Sequence, residues 1–166
     1  MSLRRHTDHG KWSEAKVPHR GWSCIYDDDL GEPSQLCEMC ESAEVRFVHY
    51  MQHPEYPDVL GVGCVCAERM EEDYTRPRER ERRLKNVARR RAAWRGREWH
   101  RSAKGNPYVN VNGFNLTLYE AARGWRVSVA NRATGASQKG KKLFPDLAAA
   151  QAAAFEALIW AEQNLP

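Results

Sequence analysis

Four of the five cysteines fall in two short pairs. Cys37-Glu38-Met39-Cys40 is a Cys-x2-Cys pair, and Cys64-Val65-Cys66 is a Cys-x-Cys pair that follows after 23 intervening residues. A tetrahedral Zn²⁺ takes four ligands and suits thiolates at about 2.3 Å. Two short pairs let two stretches of backbone each wrap one edge of such a tetrahedron, so the chain between them must double back. Cys37, Cys40, Cys64 and Cys66 are therefore the expected ligands of a Zn²⁺ ion. Four thiolates leave no open coordination position, so the expected role is structural. The alternative is four buried reduced thiols, since cysteine packs as a small hydrophobe. Two close pairs in a chain with only five cysteines argue against that. Cys24 stands apart in Gly21-Trp22-Ser23-Cys24-Ile25-Tyr26 and is expected to pack as an apolar residue. His49 and His53 lie between the pairs and rank behind the cysteines as ligands.

The intervening residues alternate as a hairpin would. Glu44 to Met51 is β-branched and aromatic, His53 to Asp58 carries two prolines, and Val59 to Gly63 returns to the second pair. Ala67 to Glu72 then reads as a helix. Knuckle, hairpin, second pair and helix start, over residues 36 to 73, resemble the treble-clef group of zinc folds. A plainer zinc ribbon is the alternative, because the second pair has one intervening residue where that group has two. The resemblance implies a small lobe whose folding depends on the metal. A treble clef can also host a nuclease site, but that needs metal-binding histidines on the hairpin and on the following helix. After Cys66 the only histidine is His100, so nuclease activity is disfavoured and no enzyme activity is expected.

Charge is distributed in zones. Residues 1 to 70 hold 7 Lys/Arg against 12 Asp/Glu, residues 71 to 105 hold 13 against 6, and residues 106 to 166 hold 6 against 4. A polyanion would meet the middle and the C-terminal part of the chain. Arg76 to Arg97 reads as one basic helix, with Thr75 as its cap, Pro77 in its first turn and Gly96 at its end. From Arg82 to Arg97 there are eight basic residues and no acidic one. Arg82, Arg83, Lys85, Arg89, Arg90, Arg91, Arg95 and Arg97 are thus candidate phosphate contacts, which would give salt-dependent affinity largely blind to sequence. The plainer reading is a hydrated connecting helix laced by Glu–Arg pairs.

Beyond it the pattern becomes a sheet covered by a helix. Phe114 to Tyr119 and Trp125 to Ala130 alternate, Tyr108 to Val111 reads as a short strand before the tight-turn signal Asn112-Gly113, and after Thr134-Gly135 a third run ends at Lys141 to Phe144. Pro145-Asp146 opens an alanine-rich helix to about Gln163, with Leu147, Ala150, Ala154, Leu158 and Ala161 as its packing stripe. Gly124 to Val129, Lys142 to Asp146 and the helix with Ala149 and Ala153 resemble the Apetala/integrase type of DNA-binding domain. The double-stranded-RNA-binding module is similar in its three strands and final helix. The first resemblance implies that the sheet meets the major groove, with Arg126, Ser128 and Arg132 on its outer face and Lys139, Lys141 and Lys142 nearby. The alternative is a generic α+β domain with a hydrated sheet face.

The expected protein is α+β. Residues 1–35 form an N-terminal extension, 36–73 a zinc-bound β-hairpin lobe, 74–98 a basic connecting helix, and 99–166 a three-stranded antiparallel sheet packed by one long helix. Apolar residues at 42% suffice for a core. No apolar run of about 18 residues exists to cross a membrane, and Met1 to Asp8 lacks the apolar stretch of a secretory signal. Unpaired cysteines fit a reducing, cytoplasmic setting. The 19 arginines against 7 lysines suggest GC-rich coding of bacterial, phage or plasmid origin. The expected partner is nucleic acid, DNA before RNA. The alternative is a zinc-stabilised adaptor whose basic helix meets an acidic protein. No small-molecule substrate is indicated.

Overall fold

A computed structural model describes residues 9–166. The chain divides into two compact units, one ending at Arg90 and the other spanning Arg91–Pro166. Among the described residues no helix is long and apolar enough to cross a membrane.

The first unit is built on a three-stranded antiparallel sheet. Its strands are β1 (Ser23–Asp29), β4 (Phe47–His53) and β5 (Tyr56–Val62), in the order β1-β4-β5. A short pair, β2 (Gln35–Leu36) and β3 (Glu44–Val45), lies across the first cysteine pair. Helix α1 (Cys64–Glu71) follows β5 directly and packs on β4 and β1. The N-terminal stretch is more than an extension. β1 pairs with β4, and a 3-10 turn at Gly10–Ser13 sends Trp12 into the same core as Met39, Met51, Val62 and Met70. A 38-residue lobe buries too little apolar surface to stand alone, which is the physical reason the preceding residues are drawn in. The proline turn is also tighter than expected. β5 begins at Tyr56, paired with His53, and carries Pro57 near its start. There Pro57 occupies an edge strand, where a missing donor costs little.

Helix α2 (Arg76–Trp94) fulfils the basic-helix expectation, with a different cap. The Asp73 carboxylate, rather than Thr75, accepts the backbone N–H groups of Thr75 at 2.8 Å and Arg76 at 3.0 Å. Gly96 closes the last turn by donating to Ala93 O.

The second unit is a five-stranded antiparallel meander under one helix, where three strands were expected. Its strands are β6 (His100–Arg101), β7 (Pro107–Val111), β8 (Phe114–Ala121), β9 (Gly124–Asn131) and β10 (Ser137–Lys139), ordered β10-β9-β8-β7-β6. The two edge strands are only two and three residues long, too short for an alternating pattern to announce them. The run expected to end at Phe144 reduces to β10 and a single bridge between Trp125 and Phe144. Asn112 and Gly113 both take positive φ, 50° and 82°, as the tight turn between β7 and β8 requires.

Helix α3 (Leu147–Asn164) starts where Asp146 accepts the Ala149 N–H at 2.7 Å. Its Ala150, Ala154, Phe155, Leu158 and Ala161 are buried, as are Val109, Leu116, Leu118, Val127 and Val129 of the sheet face beneath. Trp94 joins this core, donating its indole N–H to Gln151 O at 2.7 Å and lying 5.6 Å from the Phe155 ring. Phe155 is 1% exposed. Phe155→Ala is therefore expected to cost about 3–5 kcal/mol of stability, read by denaturant unfolding. Asp146→Ala, which removes only the cap, is expected to cost about 1 kcal/mol.

A second outcome concerns acid. The Arg76 guanidinium, then the backbone N–H groups of Arg76 and Thr75, hold the Asp73 carboxyl down at about 2. A carboxyl depressed in this way stabilises the fold fully above its unfolded pKa of about 3.9, and loses that contribution as pH falls through its folded value. Between about pH 4 and pH 2 the wild type should therefore lose more stability than Asp73→Asn, whose amide oxygen can still cap without titrating. Circular dichroism melts of the two proteins across that window check this.

Candidate metal centre

The first cysteine pair forms a tight knuckle. The Cys37 carbonyl accepts the Glu41 N–H at 2.8 Å, and Glu41 takes a left-handed φ of 53° to complete the turn. The Cys37 N–H in turn donates to Ala43 O at 2.7 Å. Two donors point at the sulfurs: the Gly63 N–H at 3.5 Å from Cys37 Sγ, and the Ser42 hydroxyl at 3.4 Å from Cys40 Sγ. Cys66, from the first turn of α1, completes the group. The sulfurs of Cys37, Cys40 and Cys66 lie within 4.8 Å of one another, and the three residues are 1%, 2% and 4% exposed.

The N-terminal turn seals this group. A Cβ on Gly10 would come within 2.7 Å of the Cys40 carbonyl carbon and oxygen, and its φ is +62°. Only glycine lets the chain lie so close against the knuckle. Two residues on, the buried Trp12 indole N–H makes no hydrogen bond to a nitrogen or oxygen, and it lies where it favours a thiolate at Cys66. The Cys66 thiol, hydrogen-bonded to Cys37, holds the Cys37 thiol below its ordinary value. That bond, with burial, pushes Cys66 upward in return. Three converging sulfurs, backbone and hydroxyl donors aimed at them and an indole N–H with no oxygen to meet fit a thiolate-bound metal ion.

Cys64 does not belong to this group. The helix expected from Ala67 begins three residues earlier, at Cys64. Both members of the second pair are therefore helical. Residues two apart on a helix differ by about 200° and face opposite sides. Cys66 turns to the knuckle while Cys64 turns away, to lie near His49 and Glu81. The residue that shares the Cys66 face one turn earlier is Gly63, which supplies a backbone N–H instead of a side chain. The expected four-thiolate set is thus three thiolates. Among the described residues no fourth Cys, His, Asp or Glu joins them, and the argument for a closed coordination shell does not hold. His53 is also elsewhere, packed against Trp22. Cys24 is half-buried and packs at the margin of the core, as expected.

The candidate phosphate contacts of α2 divide into two sets. Arg83 places Nη2 at 2.7 Å from both Asp27 carboxylate oxygens, Lys85 pairs with Glu81, and Arg91 pairs with Glu156. Earlier on the helix Arg76, Arg78 and Arg80 pair with Asp73, Glu68 and Glu71. Arg82, Arg89, Arg95 and Arg97 are exposed and Arg90 is half-buried. Glu81 lies one turn before Lys85 on α2 itself, but the acids that take Arg83 and Arg91 come from β1 and α3, so the local sequence of α2 could not reveal those two.

In the second unit, alternation along β8 and β9 turns Arg126 and Ser128 to the face opposite α3, as expected. Ladder pairing aligns His100, Tyr108, Thr117, Ser128 and Lys139 in one row across all five strands of that face. Tyr119 lies opposite Arg126, whose Nε is buried with no hydrogen-bond partner. Arg132 is exposed in the turn after β9. Lys141 and Lys142 go elsewhere: with Val127, Val129, Phe144 and Trp160 they line a groove of about 230 Å³ on the helix side of the sheet. The His100 end of this row depends on the pairing of β6 with β7, which no local pattern announces. No family model, curated protein or solved structure matches the chain.

Proposed function

We propose that Cys37, Cys40 and Cys66 hold a structural Zn²⁺ and that the protein binds nucleic acid, DNA before RNA, chiefly through its second unit. The observation that carries the binding reading is where the charge sits. Arg91–Pro166 holds eleven Lys/Arg against five Asp/Glu, a net of +6. The first unit is net acidic, and three thiolates on one divalent ion add a further −1. Phosphates would therefore be drawn to the second unit.

Its open sheet face offers the complementary chemistry. Tyr108 and Tyr119 present rings for stacking, Thr117 and Ser128 present hydroxyls, and Arg126 and Lys139 present cations. Exposed Arg95 and Arg97, which follow α2, extend the same charge. A sheet face opposite one packed helix supports the reading by analogy with sheet-reading DNA-binding domains, although five strands stand here where that resemblance implies three. In the first unit, knuckle, hairpin and helix keep the treble-clef order, with Gly63 where a fourth ligand would share the Cys66 face. Zinc there would act by joining the knuckle to α1, with its fourth position left to a ligand from outside this set.

Zinc removal by a chelator should lower the melting temperature of the protein, and readdition should restore it. Cys66→Ser should abolish that response, whereas Cys64→Ser should keep it. A melt insensitive to both chelator and Cys66→Ser would refute the structural-zinc reading. Fluorescence anisotropy on a labelled duplex should show affinity falling at least about tenfold between 50 and 200 mM salt, as several neutralised phosphates require. Arg126→Ala with Lys139→Ala should weaken binding and flatten that salt slope. Absence of binding at 50 mM salt would refute the nucleic-acid reading.

A further inference from the structure

We propose a second metal site in the first unit, formed by His49 of β4, Cys64 of α1 and Glu81 of α2, that takes a borderline divalent ion such as Zn²⁺ and leaves one coordination position open. One ligand atom from each of the three lies within 4.8 Å of the other two. Tetrahedral zinc with nitrogen, sulfur and oxygen donors separates them by about 3.5 Å, so modest side-chain rotations would close the set. The donors come from three different elements, each fixed by its own packing. His49 is centred in the sheet between Asp27 of β1 and Val62 of β5. Cys64 opens α1, and Glu81 lies in the second turn of α2.

The state of His49 is the independent observation. The residue is 0% exposed, and its Nε2 is buried without a hydrogen-bond partner. Its Nδ1 already accepts the Arg80 Nε–H at 3.2 Å, so Nε2 is the ring atom left with nothing to bind. An unmet polar atom in a buried place costs roughly 1–3 kcal/mol, and a metal would satisfy it. Coordination through Nε2 moves the ring proton to Nδ1, so the Arg80 contact must open. Arg80 keeps its two bonds to Glu71 when it does.

The charges lean the same way: Cys64 lies beside the Glu81 and Glu68 carboxylates, and a divalent cation there would offset their negative charge. Glu68 is held by Arg78, which leaves Glu81, paired with the half-exposed Lys85, to turn to the ion. Three protein ligands and a vacancy is the arrangement of exchangeable rather than closed zinc sites. Cys64 and Glu81 also line a cleft of about 400 Å³, together with Val65, Glu68, Arg78 and Arg82. An ion held there is reachable from solvent, and Arg78, Arg82 and Lys85 on the cleft wall favour an anionic fourth ligand.

The site shares no residue with the three-sulfur group, so metal content separates the two. Full-length protein from zinc-supplemented cells should carry two zinc ions per chain by mass spectrometry. Cys64→Ser and Cys40→Ser should each carry one. Glu81→Gln, an exchange at the cleft wall that spares the core, should bind Co²⁺ at this site at least about tenfold more weakly. One ion per chain that is lost in Cys40→Ser and kept in Cys64→Ser would overturn this site and leave the three-sulfur reading standing. One ion lost in Cys64→Ser and kept in Cys40→Ser would support this site and overturn the other. No zinc in the wild type would overturn both.

Discussion

Helical geometry at Cys64–Cys66 governs the first unit. A helix advances about 100° per residue, so two cysteines separated by one residue cannot address the same point. Because α1 starts at Cys64, one sulfur faces the knuckle and the other faces β4 and α2. Each side then acquires its own set of polar donors. The knuckle side gathers Cys37, Cys40, the Gly63 N–H and the Trp12 indole. The opposite side gathers His49 and Glu81, next to the Arg80–Glu71 pair. The short spacing that looks like a defect in a four-thiolate motif is, in the folded chain, what gives the unit two chemically distinct faces on one helix.

The acidic residues of the first unit have a related task. Asp27, Glu68, Glu71 and Glu81 meet Arg83, Arg78, Arg80 and Lys85 from the early turns of α2. The Glu68 and Glu71 side chains are 7% and 4% exposed, so these two pairings satisfy carboxylates that would otherwise be buried alone. The outer pairs, such as Arg83 with Asp27, are half-exposed on the arginine side and contribute modestly. Positive charge in the early turns of α2 is thus balanced where it is made. The excess remains in the second unit, where Arg126 and Lys139 lie on the sheet face away from α3 and Lys141 and Lys142 line its helix side. That separation leaves the first unit net acidic and the second net basic.

Much of this was legible in the residues. The long strands β8 and β9 follow from alternation, β7 from the turn signal beside it, and α3 from Pro145-Asp146 and its alanine-rich stripe. The Asn112-Gly113 turn follows from the backbone freedom it demands. The basic helix follows from its composition, and three of the four proposed zinc ligands from their spacing. What escaped had weak local signals. β6 and β10 are too short to alternate, and β1 is hidden in an acidic, polar stretch that becomes a strand only because β4 offers it a partner. The Gly10 approach to Cys40 has no sequence signature, since a single glycine near Trp12 looks like any other.

Spacing, periodicity and capping are properties of neighbours along the chain, so the sequence by itself determined the α+β class, the long elements and the presence of a converging cysteine group. Which sulfurs converge depends on where α1 begins relative to Cys64. Whether Arg83 and Arg91 face acids depends on side chains tens of residues distant. Both were decided only by tertiary packing, because a helix start and an ion pair with a remote partner are settled by the surfaces the chain brings together, and not by the residues on either side.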